Sequence, residues 1–194
     1  MELIKLTNLH FLSILQLASP ALPVGACSYS EGLEMLVENG TINDSNNLED
    51  CLEAELKYGS IRIDAAVMMR RLQAANLGDW EDLKRWNLWL SAVRDKEELR
   101  GSSCQVGRSL IQLLGKLAPS TIPLATAVGY PCNYAIAFGI ASSHWQINHQ
   151  AALLAYLHSW VNNLITGGIK LTPLGQTAGQ VLLLELQTLL RKVD

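Results

Sequence analysis

The side chains able to hold a metal or move a proton are four histidines, four cysteines and eighteen carboxylates, and their spacing decides what they can do. His144 and His149 lie five residues apart, and His149 and His158 nine apart, so neither pair has the i,i+4 spacing of an H-E-x-x-H metal helix. Each reads first as a structural or surface histidine. Cys27, Cys51, Cys104 and Cys132 are separated by 24, 53 and 28 residues, neither a dense disulfide framework nor a C-x-x-C ligand pair. They read as small hydrophobes in a reducing cytosol. Glu31, Glu34 and Glu38 share a helix face with no His or Cys beside them, which is the pattern of a solvated acidic face. No serine sits in a G-x-S-x-G elbow. The stretch Gly101-Ser102-Ser103-Cys104-Gln105-Val106-Gly107-Arg108-Ser109 imitates a phosphate-binding loop. It has five residues between the glycines instead of four, Arg in place of Lys, and a helical rather than a strand-like approach. No catalytic constellation emerges, and the expectation is a protein that is not an enzyme.

The elements behind these residues are helical nearly throughout. Leu9, Leu12 and Leu15, with Phe11, begin a first helix started by Thr7 or Asn8 and closed before Pro20. After the Pro20–Gly25 turn, Ser28 and Glu31 form the S-x-x-E box of a second helix that ends at Asn39-Gly40 and contains Gly32. Further helices are expected from about Leu48 to Tyr58, and from about Ile61 to Leu77 with a stop at Gly78. The next starts from Asp79 and carries Trp80, Leu83, Trp86 or Leu90, and Val93; another follows Asp95 and runs to Pro119. Pro119, Pro123 and Pro131 bracket a shorter piece, and Tyr134–Ser143 reads as a buried helix. Asn148 caps a long helix through Trp160 to Ile165, and Thr172-Pro173 opens the last, where Gly175 and Gly179 lie i,i+4. Mid-helix glycines cost up to about 1 kcal/mol each against alanine, so Gly32, Gly101, Gly107, Gly175 and Gly179 point to close helix approach. The fold class is all-α, a single domain over 1–194 built as a bundle of about eight to ten helices.

Charge is distributed unevenly. Residues 1–98 hold nine bases against sixteen acids, whereas residues 99–184 hold Arg100, Arg108, Lys116 and Lys170 and no acid. The net charge of −3 and pI near 5.8 exclude nucleic-acid binding as the main task, since no basic stripe exists to displace counterions. No run reaches the ~18 apolar residues of a spanning helix. Leu9 to Ala18 and Val24-Gly25-Ala26-Cys27 imitate an export signal, but Glu2 cancels Lys5 and leaves no positive n-region. A soluble cytoplasmic protein is expected, with too few charges to coat its second half; such a surplus ends in a core or against a partner.

From Leu15 through Pro20-Ala21-Leu22-Pro23-Val24-Gly25 to Ser28-Tyr29-Ser30-Glu31-Gly32-Leu33-Glu34 the chain resembles the UreF family of urease accessory proteins. The resemblance continues in order through Glu98-Leu99-Arg100, Gln105–Leu110 and Tyr134–Gly139, and closes at Lys170-Leu171-Thr172-Pro173-Leu174-Gly175-Gln176-Thr177-Ala178-Gly179-Gln180. It implies an all-α homodimer without enzymatic activity. Such a protein joins a UreD/UreH-type partner and the GTPase UreG to deliver nickel to apo-urease. It also implies that no cofactor is bound directly, the nickel being handled by the assembled complex. Two departures stand out: Cys27 occupies a commonly aromatic position, and the chain stops at Arg191-Lys192-Val193-Asp194, short of the family's usual C-terminal tail. Docking of the UreD/UreH-type partner through that tail would then be weakened.

The partner-interface residues expected from these blocks are Ser28, Tyr29, Ser30, Glu31, Arg100, Arg108, Lys170 and Gln176. Capping accounts for part of Ser28 and Glu31. Arg100 and Arg108 lie eight apart on one helix side, able to bridge to acids across an interface or to the chain's own acidic half. Lys170 is the only charge between Lys116 and Glu185, either a snorkelling side chain or a contact to the GTPase. The competing expectation is a metallochaperone that holds nickel itself through His144, His149, His158 or a cysteine.

Overall fold

The computed structural model describes residues 8–24, 32–94 and 96–192. Among them are ten α-helices: α1 Asn8–Leu17, α2 Leu33–Glu38, α3 Ser45–Tyr58, α4 Ile61–Leu77, α5 Trp80–Val93, α6 Glu97–Leu117, α7 Ile122–Val128, α8 Tyr134–His144, α9 His149–Leu171 and α10 Gln176–Leu190. A 3-10 turn, Pro119–Thr121, joins α6 to α7, and the described residues contain no strand.

The run from 117 to 169, which holds no Asp, Glu, Lys or Arg, explains the centre of the architecture. Every residue of α8 from Ala135 to Ser142 is buried, which its run of Ala, Gly, Ile and Phe permits. It is therefore the central helix, flanked by α4 and α6. Gly139 lets α4 come close: a Cβ there would stand 3.2 Å from the Met68 carbonyl oxygen and 3.3 Å from the Leu72 nitrogen. Aromatic rings seal the next layer, with Phe138 of α8 edge-on to Tyr156 of α9 at 5.2 Å between centroids. α9 then packs against α10, α4 and α1, and α3 closes the far side against α10.

Several boundaries differ from the sequence reading, each for a local reason. α3 starts at Ser45, not near Leu48, because the Asp44 carboxylate accepts the Asn47 N–H at 2.9 Å and so completes a first turn from the polar loop. α9 runs on past Ile165 to Leu171, since Gly168 fits tightly against Leu48 and the helix need not end at Gly167-Gly168. The Thr172 hydroxyl donates to the Gly168 carbonyl at 2.7 Å, so Thr172-Pro173 closes α9 instead of opening α10. Gly175 is the residue before α10 and not part of it; Gly179 alone is the helical contact, its position fitting against Ile165 and Ile169. Gly32 precedes α2 with φ +95°, a left-handed conformation that a helix interior excludes. The S-x-x-E box of Ser28 and Glu31 lies outside the described residues.

Asn87 and Asn133 form the polar joint of the fold. Asn87 sits on the buried face of α5, where the hydrophobic period leaves a polar residue among leucines. Its Oδ1 accepts from the Asn133 backbone N–H at 2.9 Å, and its Nδ2 donates to the Pro131 carbonyl at 2.7 Å. Asn133 in turn donates from Nδ2 to the Ser91 hydroxyl at 2.7 Å, and the Ser103 hydroxyl accepts from the Tyr134 N–H at 3.2 Å. The loop before α8 is thus tied to both α5 and α6, with its buried polar atoms satisfied.

Candidate functional site

The expected interface residues fall into separate places. Arg100 and Arg108 lie on α6, Lys170 in the last turn of α9, and Gln176 at the start of α10. Lys170 and Gln176 are both exposed and flank the same short α9–α10 turn. A cation at that position also complements the partial negative charge of the α9 C-terminus. Ser28, Tyr29, Ser30 and Glu31 lie outside the described residues, as does Cys27.

Eight residues along α6 separate Arg100 and Arg108 by about 12 Å and about 80° around the axis, so they splay rather than stack. They open onto two depressions of about 520 and 640 Å3 that share Gly101, Cys104 and Pro131. Leu88 and Ala92 of α5 wall the first; Gln105, Gln112 and the exposed Tyr130 ring wall the second. Neither arginine has a carboxylate within 4 Å among the described residues, so pairing with the chain's own acidic half does not occur there. Several acids of that half are exposed, Glu38, Asp44 and Asp50 among them. Glu49 is pushed above the usual carboxylate range by burial and by the neighbouring Glu185, Glu53 and Asp50.

A buried ion pair anchors the amino end of α6. Arg94 donates from Nη2 to the Asp64 carboxylate and from Nη1 to the Leu99 carbonyl at 3.0 Å. Burial pushes the Asp64 carboxyl up, against the opposing pull of Arg94 and of a hydrogen bond with Tyr156. The cavity beside the pair measures about 60 Å3, and an adjoining one walled by Ile61, Ile63 and Trp160 about 260 Å3. Sequence reasoning passed over Asp64 and Arg94 because thirty residues separate them and neither belongs to a motif. A second ion pair joins Arg71, only 4% exposed, to Asp82. Burial, then repulsion from Arg85 and Arg70, lowers Arg71 to about 10.

The third surface is apolar. Leu9, Phe11, Leu12 and Leu15 on α1 are all more than half exposed, since the helix docks on α9 through its Ile14–Leu17–Ala18 side and its other apolar residues find no partner within the described chain. Phe11 and Leu15 continue into a groove of about 600 Å3 floored by Leu154 and His158 of α9 and Leu190 of α10. Burial in this groove lowers the pKa of His158.

Metal-ligating side chains are scattered. No three of His, Cys, Asp and Glu come together among the described residues in a way that could hold an ion. His144 lies 3.4 Å from the Ser120 hydroxyl and edge-on to Trp145, and His149 is exposed at the start of α9. Burial raises the thiols of Cys51, Cys104 and Cys132, the last to about 12. In the absence of a metal they are protonated at neutral pH. No described helix is long and apolar enough to cross a membrane.

Comparison with known proteins gives one consistent answer. The family model UreF matches residues 42–187. A urease accessory protein UreF of Nostoc sp. is 70% identical over 190 residues, covering 98% of this chain and 83% of the relative. The corresponding protein of Trichormus variabilis is 67% identical with the same coverage. That of Microcystis aeruginosa is 53% identical over 178 residues, covering 92% of this chain and 79% of the relative.

Proposed function

The chain belongs to the UreF family of urease accessory proteins, and from that premise we propose that it is a non-enzymatic scaffold joining the GTPase UreG and a UreD/UreH-type protein in the delivery of nickel to apo-urease. The observation that carries this reading is the amount of surface suited to protein and not to a small substrate. The apolar face of α1 with its groove, the arginine-flanked depressions on α6 and the exposed α9–α10 turn belong to different elements. An adaptor needs several such surfaces, whereas an enzyme concentrates its polar groups in one. Nickel is cargo on this reading, passing through the assembly without a cofactor resident in this chain, and the work is done in the cytoplasm beside the GTPase.

A second copy is the proposed cover for the α1 face. Four large apolar side chains on one short helix, running into a groove, are the composition of a homodimer contact. Phe11→Arg with Leu15→Arg is expected to give a monomer in sedimentation analysis. Retention of the dimer would place that contact elsewhere.

The test of the scaffold itself is reconstitution with the GTPase and the UreD/UreH-type protein, followed by mass determination. A stable assembly is expected, and its absence would sink the reading. Lys170→Ala, at an exposed position, is expected to leave the thermal midpoint unchanged and to lower urease activation about tenfold, the effect of one charged contact. Unaltered activation would remove Lys170 from the partner surface.

A further inference from the structure

We propose that the furrow between α5 and α6, from Leu88 and Arg100 to Arg108 and Tyr130, is the docking site for an acidic segment of a partner protein; the proposal rests on the scaffold reading above. Two independent observations lead there.

The first is Gly101. It lies inside α6, where glycine weakens a helix, yet a Cβ built on it would meet no atom of the described residues within 4 Å. Gly107, six residues on, is explained by the backbone of residues 132–134 pressed against it. Nothing among the described residues explains Gly101. Its position does, because it is shared by both depressions and forms the saddle between them. A bare backbone there admits the close approach of another chain.

The second is charge. Arg100 and Arg108 stand at either end of this saddle, unpaired among the described residues, on a stretch from 99 to 184 that contains no acid. Glu97 is the one carboxylate lining either depression. Carboxylates more than about 12 Å apart, on a segment that crosses α6 obliquely, would meet both splayed guanidinium groups. Between those ends the furrow offers apolar and aromatic contact. Leu88 is 60% exposed and Tyr130 65%. Arg and Tyr are among the residue types that dominate the binding energy of protein contacts. The Cys104 thiol, raised by burial, adds no charge to the floor. The occupant is thus a protein segment with acidic ends and an apolar middle, crossing α6 at Gly101.

The proposal is tested with the full chain titrated separately with the purified GTPase and with the purified UreD/UreH-type protein, by calorimetry at two salt concentrations. Toward one of them, Arg100→Glu with Arg108→Glu is expected to weaken binding about a hundredfold and to flatten its salt dependence, as the loss of two charged contacts requires. Arg100→Lys with Arg108→Lys, which keeps the charge, is expected to stay within about fivefold of wild type. Gly101→Leu is the decisive variant: it changes no charge and its Cβ meets no described atom within 4 Å, so it is expected to fold with a thermal midpoint near wild type, and it blocks the saddle, weakening the same complex at least tenfold. If Gly101→Leu binds like wild type while the charge reversal weakens binding, the arginines steer from a distance and the furrow is not occupied, which overturns the proposal. Wild-type binding by both variants overturns it as well. Failure of the unaltered chain to bind either protein is a different result, because it removes the scaffold reading and this proposal with it.

Discussion

Arg94→Met is expected to destabilise the chain by about 3–5 kcal/mol at pH 7, the cost of leaving a buried charge without its partner. The side chains of Asp64 and Arg94 are 14% and 16% exposed, so solvent screens the pair weakly. Burial already raises the Asp64 carboxyl, and Arg94 supplies most of what opposes it. Methionine preserves the aliphatic volume but removes the guanidinium, leaving the Tyr156 hydrogen bond alone against desolvation. The sign with pH follows. A carboxyl whose folded pKa exceeds its unfolded value binds more protons in the folded chain. Its penalty is absent below the unfolded value of about 3.8, grows as the pH rises, and is complete above the folded value. The gap between wild type and Arg94→Met in urea unfolding should therefore be full at pH 7 and shrink toward pH 4. Asp64→Asn added to Arg94→Met should recover much of the loss at neutral pH. A gap that widens in acid would show that Asp64 is not the group left uncompensated.

The ion pair reaches the functional surface through one hydrogen bond. Arg94 holds the Leu99 carbonyl in the first turn of α6, immediately before Arg100. Loosening it would unfix the end of the helix that presents the α5 side of the furrow. On the docking proposal, a change at Arg94 would alter both stability and binding.

How much of this was legible follows from what each feature depends on. Helix boundaries set by local chemistry were readable: Gly78 in the left-handed conformation ends α4, and the Asp79 carboxylate accepts the Asp82 N–H at 3.0 Å to start α5. The buried nature of α8 was readable because no charge interrupts it. Orientation was not. The period of Leu9, Leu12 and Leu15 announces a helix with an apolar side, yet α9 meets the other side, and no local rule distinguishes a face for the core from a face for a partner. Asn87 was invisible for a similar reason. A polar residue on an apolar stripe looks like noise until Asn133, forty-six positions away, arrives to satisfy it. Among the expected interface residues, Arg100 and Arg108 stood out in the sequence by the family blocks they sit in and by the scarcity of charge around them. The furrow between them needed α5 and Tyr130 placed beside α6.

Gly107→Ala is expected to destabilise by about 2–4 kcal/mol, against the helix propensity that favours alanine by up to about 1 kcal/mol. The added Cβ would stand 2.1 Å from the Cys132 carbonyl oxygen, 2.7 Å from the Asn133 carbonyl carbon and 2.8 Å from the Tyr134 nitrogen. All three are backbone atoms, and the hydrogen bonds of Asn87 to Asn133 and of Ser103 to Tyr134 prevent their retreat. Relief requires α6 and the 132–134 segment to part, which breaks those bonds or opens a gap beneath Cys132. Gly101→Ala is the internal control. It is the same chemical change on the same helix, with the same loss of unfolded-chain entropy, and with no atom within 4 Å of the new methyl. It is expected to stabilise by about 1 kcal/mol. Thermal unfolding of the two variants should therefore move in opposite directions from wild type. A neutral Gly107→Ala would mean that α6 slides freely over the loop before α8. Pro131, which floors both depressions, would then not be held, and the furrow would be a passing shape instead of a preformed surface.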